Sequence, residues 1–364
     1  MPNKKLFSEE KNVKNTTQND DSIHLVLTVG DLSDDYNQHA GVTFLSFLDH
    51  CKSKVVLHII HDDKYSIQNP DKCAINKLYF EKIAEKYGAV VSYSHFEIPS
   101  IITTLPALKN WNEFILMRLF LPDVLWEVSK VIYLDCDIVV NTDVDNLWDI
   151  PLNGFSIAAC PDSGREEFGI GRKRLLNKMN INTHEYFCAG LLVMDLEKLR
   201  ITRELSCDVI NFFMMFPNTP YPDQDALNSI FNGQYCHLEE KYNIYAGRVD
   251  SYAYASDCMI HYAGGNTKPW KGFDEPIGNF YWKYYFATPW SDNKEALLNL
   301  GRRLPDKDYL CDMLPIILRK YHHTKKVTVG IRLILKIIQS ELVIYLGFIK
   351  YESSRLFRRL FTFL

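Results

Sequence analysis

Val131-Ile132-Tyr133-Leu134-Asp135-Cys136-Asp137 joins four consecutive apolar residues to two carboxylates one residue apart. An apolar run without alternation reads as a strand buried on both faces, the kind found inside a parallel α/β sheet. In open sheets of that class, ligands bind in the crevice beyond the carboxyl ends of the strands, so Asp135 and Asp137 are expected there. Two such carboxylates without a buried basic partner repel each other unless a cation lies between them. A hard divalent ion satisfies both, and if it keeps open coordination positions it also holds a diphosphate. The stretch therefore predicts a metal–diphosphate site. Asp-x-Asp alone is a weak signal, equally readable as a solvated strand end. A second copy, Asp143-Val144-Asp145, sits between Asn141-Thr142 and Asn146-Leu147-Trp148 and reads as acid at a solvent-facing loop or helix start.

Upstream, strand and helix signals alternate from Ile23 onward. Residues 24–30 read as a strand, Asp31 to Asn37 as a polar loop, and 41–48 as an apolar helix. A second strand spans 54–60. Ile75, Leu78, Tyr79 and Ile83 then recur at helical spacing, with Gly88 as a stop. A third strand covers 90–96, and a helix over about 112–125 leads into the Asp-bearing strand. This order predicts a parallel, doubly wound sheet with right-handed crossovers. No G-x-G-x-x-G follows the first strand and no G-x-x-x-x-G-K-[ST] occurs, which argues against dinucleotide oxidoreductases and P-loop NTPases.

Downstream, residues 155–160 read as a strand ending at Pro161-Asp162. Glu185 to Asp195, with Cys188-Ala189-Gly190 inside it, reads as a tight, small-residue turn feeding another buried strand. In Tyr221-Pro222-Asp223-Gln224-Asp225 the acids fall at a helix start, where the dipole favours negative charge; an ordinary N-cap is the simpler account of either one alone. Finally, His261-Tyr262-Ala263-Gly264-Gly265-Asn266-Thr267-Lys268-Pro269-Trp270 offers an imidazole for a metal shell, glycines for backbone approach to a phosphate, and a lysine to neutralise it.

The chain of 364 residues is 47% hydrophobic, enough for one large domain plus an appendage. Its nine cysteines, odd in number and without C-x-x-C pairs, speak against a disulfide framework or a zinc site and for a reducing, cytoplasmic location. Residues 1–22 are polar, lack the apolar segment of a signal peptide, and read as a disordered leader. Residues 319–364 carry ten basic side chains and two acids, a net +8 against −12 for the remainder. Arg332 and Lys336 lie among isoleucines and leucines, and Arg355, Arg358 and Arg359 beside Leu356, Phe357, Leu360 and Phe361. Such basic amphipathic segments suit an anionic membrane surface, although a helical subdomain with a solvated basic face accounts for them too.

Taken in order, Tyr133-Leu134-Asp135-Cys136-Asp137, Tyr186-Phe187-Cys188-Ala189-Gly190, Asp223-Gln224-Asp225 and His261-Tyr262-x-Gly264 to Lys268-Pro269-Trp270 resemble the motifs of glycosyltransferase family 8. These are retaining, metal-dependent enzymes of the GT-A fold that use UDP-sugars. Within the family the chain is most similar to bacterial lipopolysaccharide core glucosyl- and galactosyltransferases; residues 105–112 and Thr288-Pro289-Trp290 add to that likeness. The resemblance implies an α/β catalytic domain over 23–276 with a GT-A, Rossmann-like sheet, and a basic, helical, membrane-associating region over 277–364. It implies that Asp135, Asp137 and His261 bind Mn²⁺, or Mg²⁺ in its place, with Cys136 between them. Gly264 and Lys268 would hold the UDP diphosphate, and Arg118 would contact the donor. Cys188, Ala189, Gly190 and Asp223 would line the donor sugar, with Gln224 beside the anomeric carbon and Asp223 or Asp225 as an alternative nucleophile. Asp162 would face the acceptor. Thr28, Asp31 and Tyr36 would supply the uracil contacts. Cys188 stands where the family usually has Asn, which leaves the choice of sugar open.

The expected activity is transfer of a hexose from UDP-glucose or UDP-galactose to a lipid-linked saccharide at the cytoplasmic face of the membrane, with no role for nucleic acid. The same chemistry on a protein or another glycan is the alternative within the enzyme class. A non-catalytic saccharide- or membrane-binding protein is the alternative outside it.

Overall fold

The computed structural model describes residues 21–62, 66–249, 252–271, 273 and 276–292. The expected leader and the basic tail lie outside the described residues, apart from 21–22 and the first part of 277–364. Ten strands are described: β1 (Ile23–Asp31), β2 (Val55–Asp62), β3 (Val90–His95), β4 (Lys130–Leu134), β5 (Ile138–Val140), β6 (Ile157–Pro161), β7 (Phe187–Asp195), β8 (Cys236–His237), β9 (Ile244–Tyr245) and β10 (Met259–His261). A seven-stranded sheet runs β3-β2-β1-β4-β7-β6-β8, and a small sheet runs β5-β10-β9.

The first four strands of the large sheet are parallel, as the alternation of elements predicts. β1 has β2 on one side and β4 on the other, so the strand order reverses there, and a crevice opens beyond the carboxyl ends of β1 and β4. β7 departs from the expectation: it runs antiparallel to both β4 and β6, so the sheet is mixed. Cys188-Ala189-Gly190 is not a turn but lies inside β7, an edge-to-edge buried strand. The segment expected as a helix over 112–125 is a 3₁₀ stretch, Glu113–Phe120, followed by one short turn, Leu121–Val124, with Pro122 in its first turn.

Burial on both faces explains the apolar run before Asp135. Ile132 and Leu134 join a core with α1 (Asn37–Asp49) and α2 (Pro70–Tyr87), while Val131 and Tyr133 join a second core under Glu113–Phe120, Leu205–Met215 and Pro222–Phe231. Alternate strand residues point to opposite faces, and here each face has its own cover. The first core does not stop at 276. Phe280, Tyr281, Tyr284 and Tyr285 of the helix Gly278–Tyr285, and Trp290 beyond it, are buried in it.

The inward face of α2 differs from the predicted stripe. Ile75 and Leu78 are exposed, and the buried residues are Asn76, Phe80, Ile83 and Ala84. Asn76 earns its place by hydrogen bonding: its Nδ2 donates to the Leu32 carbonyl at 2.7 Å and its Oδ1 accepts from Trp290 Nε1 at 2.8 Å. Asn76→Leu leaves a buried indole N–H and a buried carbonyl unpaired, and is expected to lower stability by about 3 kcal/mol, read as a shift in the urea midpoint at unchanged m-value.

Candidate active site

Asp135, Cys136 and Asp137 are the bridge by which the chain passes from the large sheet into the small one. β4 ends at Leu134, opposite Leu191 of β7, and the Asp135 N–H donates to the Gly190 carbonyl at 2.8 Å. β5 begins at Ile138, directly opposite His261 of β10, and the Tyr262 N–H donates to the Asp137 carbonyl at 3.0 Å. Strand pairing thus brings His261 to the two acids across more than a hundred residues of sequence. Ligand atoms of Asp135, Asp137 and His261 all lie within 4.8 Å of one another.

The surroundings decide what these donors can do. His261 Nδ1 lies 2.9 Å from Asn243 Oδ1, so the Nδ1 proton goes to the amide oxygen and Nε2 turns its lone pair inward. Nε2 is 3.2 Å from Asp137 Oδ1 and 3.7 Å from Asp135 Oδ2. Asp137 Oδ1 is buried without a hydrogen-bond partner among the described residues. A lone pair facing an orphaned carboxylate oxygen calls for a cation, and two carboxylates with one imidazole fit a hard or borderline divalent ion. A proton competes for the same nitrogen: burial works against it, but Cys188 and Asp135 hold the His261 pKa above its ordinary value.

Two further cations frame the acids. Lys268 pairs with Asp137 Oδ2, and burial pulls its ammonium down to about 8 against the attraction of Asp135. Arg118, itself buried, reaches Asp135 Oδ1 at 2.7 Å, Asp223 Oδ2 at 3.3 Å and the Ala189 carbonyl at 2.9 Å, and lies 4.7 Å over the Tyr133 ring. Burial pushes Asp135 up, yet Arg118, His261 and the Tyr133 hydroxyl, 2.7 Å from Oδ1, hold it below the usual carboxylate range. Asp223 is shifted the other way, by burial and by Asp135, with Arg118 opposing.

The structure brings most of the expected donor residues together. Gln224 is tied at both ends, its Oε1 accepting from Ala189 N at 3.0 Å and its Nε2 donating to Asp162 Oδ2 at 2.9 Å. Cys188 Sγ lies 3.8 Å from His261 Nδ1. Gly264 has φ of 85° and open space where a Cβ would stand, so the loop before Lys268 turns through it. Cys136 is buried, its thiol against the Thr28 carbonyl at 3.4 Å, and Thr28 Oγ1 is 3.3 Å from the Tyr133 hydroxyl. Tyr36 is partly exposed, with its ring edge-on to His39 and Trp270.

Three assignments change. Asp31 is buried, and its carboxylate accepts from the N–H and hydroxyl of Ser33 (2.7 and 2.6 Å) and of Ser66 (both 2.8 Å). It is a staple that shapes its loop and is not available to a base. Asp225 is fully enclosed and taken up by Arg172, Thr219 and Tyr186, so it is an internal anion and not a nucleophile. Asp162 is buried under Gly164 N (2.7 Å), Gln224 and the Tyr245 hydroxyl (2.8 Å); it orients the Gln224 amide and presents no free carboxylate to an acceptor. The second Asp-x-Asp is at the surface, with Asp143 capping Val144–Trp148 and Asp145 accepting from the Lys52 and Ser53 backbones. Asn243, just before β9, and Tyr245, its last residue, hold His261 and Asp162, and escaped the sequence reading because single polar residues around a two-residue strand carry no pattern.

A mixed sheet whose switch-point crevice holds an Asp-x-Asp, a histidine and a loop lysine defines a nucleotide-sugar transferase of the GT-A class. The fold is that of a solved galactosyltransferase LgtC bound to donor and acceptor sugar analogues (TM-score 0.59, 20% identity, 73% of this chain and 96% of that one). The chain belongs to glycosyltransferase family 8, whose sequence model, described as Glycosyl transferase family 8, matches residues 28–273. Among its relatives, General stress protein A of Bacillus subtilis (strain 168) is 26% identical over 77% of this chain and 99% of its own length. Lipopolysaccharide 1,2-glucosyltransferase of Escherichia coli (strain K12) is 28% identical over 52% of this chain, which spans 59% of that protein. Lipopolysaccharide 1,3-galactosyltransferase of Salmonella typhimurium is 25% identical over 60% of this chain and 67% of its own length.

Gly190 offers a direct check on the cluster. A Cβ there would run into the His261 ring and come within 3.0 Å of Asp135 Oδ2. Gly190→Ala is expected to abolish Mn²⁺ binding in calorimetry while far-UV circular dichroism stays that of the wild type. In the wild type, Mn²⁺ affinity is expected to fall as pH is lowered through the imidazole range, because each ion bound must displace a proton.

Proposed function

We propose that the chain is a retaining, metal-dependent hexosyltransferase that moves glucose or galactose from a UDP-sugar to a growing saccharide of the lipopolysaccharide core type. The observation that carries the donor side is the orphaned Asp137 oxygen facing the His261 lone pair beside Lys268. Asp135, Asp137 and His261 would hold Mn²⁺, and Mg²⁺ suits the two carboxylates as well. When bound, the ion supplies Lewis acidity to the departing diphosphate. Breaking the sugar–phosphate bond leaves negative charge on that diphosphate, and Lys268 is placed to neutralise it. Positive charge develops at the anomeric carbon. A carboxamide is a poor nucleophile, and Gln224 is held at both ends, so its role is to line that carbon with an oxygen dipole. Asp225 being enclosed, Asp223 is the one carboxylate left as an alternative nucleophile, and Arg118 already engages it. This favours attack by the acceptor hydroxyl on the face the phosphate leaves, with retention.

Two relatives named for lipopolysaccharide glycosyl transfer support the acceptor class. Relatives from Streptococcus pneumoniae named only as glycosyltransferases carry no acceptor in their names, and the second reading is the same chemistry on another glycan or a protein. The donor test is UDP release from UDP-glucose and UDP-galactose with Mn²⁺ and with excess chelator. Wild type should turn over one sugar faster and fall to background with chelator, as Asp137→Ala should with metal present. Lys268→Ala should lower kcat on the order of a hundredfold. Metal-independent release, or none with either sugar, refutes the reading.

The basic tail, outside the described residues, belongs to the same reading as a peripheral anchor on the inner face of the cytoplasmic membrane. Among the described residues no helix is long and apolar enough to cross a membrane. The full chain is expected to sediment with phosphatidylglycerol vesicles at low salt and not with phosphatidylcholine ones. Replacing Arg355, Arg358 and Arg359 together by Ala should cost about 3 kcal/mol of that affinity, at roughly 1 kcal/mol per basic residue.

A further inference from the structure

A cleft of about 610 Å³ lies along the β8 edge of the large sheet and shares no lining residue with the Asp135–Asp137–His261 cluster. Its walls are two Asn-Gly turns, Asn153-Gly154 and Asn232-Gly233, in each of which both residues have positive φ. Such paired left-handed residues make tight, stiff turns, so the carboxamides are carried on fixed supports. Asn182 and Gln234 add two more carboxamides, and the Asn182 N–H donates to Asn232 Oδ1 at 3.3 Å. The floor is aromatic: His237 of β8, half-exposed, stacks on the buried Tyr235 ring at 4.4 Å with 5° between their planes, and Tyr235 also meets the Phe187 ring at 4.8 Å.

Two features say what the cleft would take. The only carboxylate in its lining, Glu185, pairs with His237 at 2.8 Å and no lysine or arginine lines it, so the cleft offers no net positive charge to a phosphate or a nucleotide. Carboxamides with a flat ring beneath them suit vicinal hydroxyls over an apolar sugar face, and the volume is that of an ordinary small-molecule site. Independently of the turns, the Tyr235 hydroxyl is unsatisfied. Tyr235 is 1% exposed and its oxygen has no hydrogen-bond partner among the described residues. A buried hydroxyl left without a partner carries a desolvation cost, which a ligand hydroxyl reaching it from the cleft would offset.

We propose that this cleft is a second saccharide site, which holds a neutral oligosaccharide away from the donor centre. For a transferase it would grip a glycan at units remote from the reacting hydroxyl.

The test is saturation-transfer NMR on the full chain without UDP-sugar, using maltotriose and lactose as probes. Wild type should show transfer to at least one probe, undiminished by saturating UDP and in Asp137→Ala. Tyr235→Phe removes only the unpartnered oxygen, so it should keep or raise the Tm and weaken binding about tenfold. Gln234→Ala should weaken it similarly, and both variants should retain wild-type UDP release. No transfer to either probe, equal binding by the two variants, or loss of binding in Asp137→Ala would each overturn the proposal. Because binding is read without donor, failure of the transferase reading leaves this result unaffected, and the converse holds.

Discussion

Two carboxylates and an imidazole lone pair within 4.8 Å of one another are mutually repulsive, and the site is built around that repulsion. Arg118 answers for Asp135 and Lys268 for Asp137, yet neither cation covers the oxygen of Asp137 that faces His261. The protein has supplied enough positive charge to fold with these groups together and left one cation's worth of attraction unspent. Asn243 keeps it so. Were its amide oxygen not on Nδ1, the proton could sit on Nε2 and quench the Asp137 oxygen from within.

Keeping such groups together requires backbone that cannot drift, and the two sheets provide it. The three residues Asp135 to Asp137 are too few to reposition themselves, being pinned by β4–β7 pairing on one side and β5–β10 pairing on the other. The antiparallel course of β7 is what lets Gly190 pass under the cluster with Ala189 and Cys188 next to it. Ala189 then becomes a hub: its N–H takes the Gln224 oxygen and its carbonyl takes Arg118. The Asp135–His261 cluster, the β7 residues Cys188 to Gly190 and the helix Pro222–Phe231 are thereby one hydrogen-bonded unit, and Asn228 of that helix closes it by bonding both the N–H and the carbonyl of Phe187.

Much of this was legible in residue patterns, and the failures have physical causes. The buried strand before Asp135, the first three strands and the meeting of Asp135, Asp137, His261 and Lys268 followed from an apolar run and from motif order. The direction of β7 did not, because a strand buried on both faces is apolar throughout whichever way it runs. The face of α2 was misjudged because Asn76 is polar, and polar residues are counted outward unless their partners, here Leu32 and Trp290, are known. The roles of Asp223 and Asp225 were separable in principle: two residues along a helix is a rotation of about 200°, so when one faces a crevice the other faces away. Asp31 failed for another reason: Ser33 is a local turn partner two residues on, but Ser66 comes from a separate loop and nothing local marks it.

The end of the sequence motifs is also not the end of the working unit. Trp270 closes the Lys268 loop, and it is stacked on His39 of α1 at 3.7 Å, with Tyr281 against it at 4.9 Å and the Tyr281 hydroxyl 2.6 Å from His39 Nδ1. His39 is buried among these rings, and burial together with Lys268 and Lys271 holds it well below the ordinary imidazole value, so it is a neutral wedge. The helix Gly278–Tyr285 therefore props the Lys268 loop from behind, and Tyr285 adds a bond to Gln38 at 3.1 Å. A boundary drawn at 276 severs Lys268 from the element that fixes its position. The packed core is held by this aromatic stack and includes Trp290, whose indole holds Asn76 and through it the loop after β1.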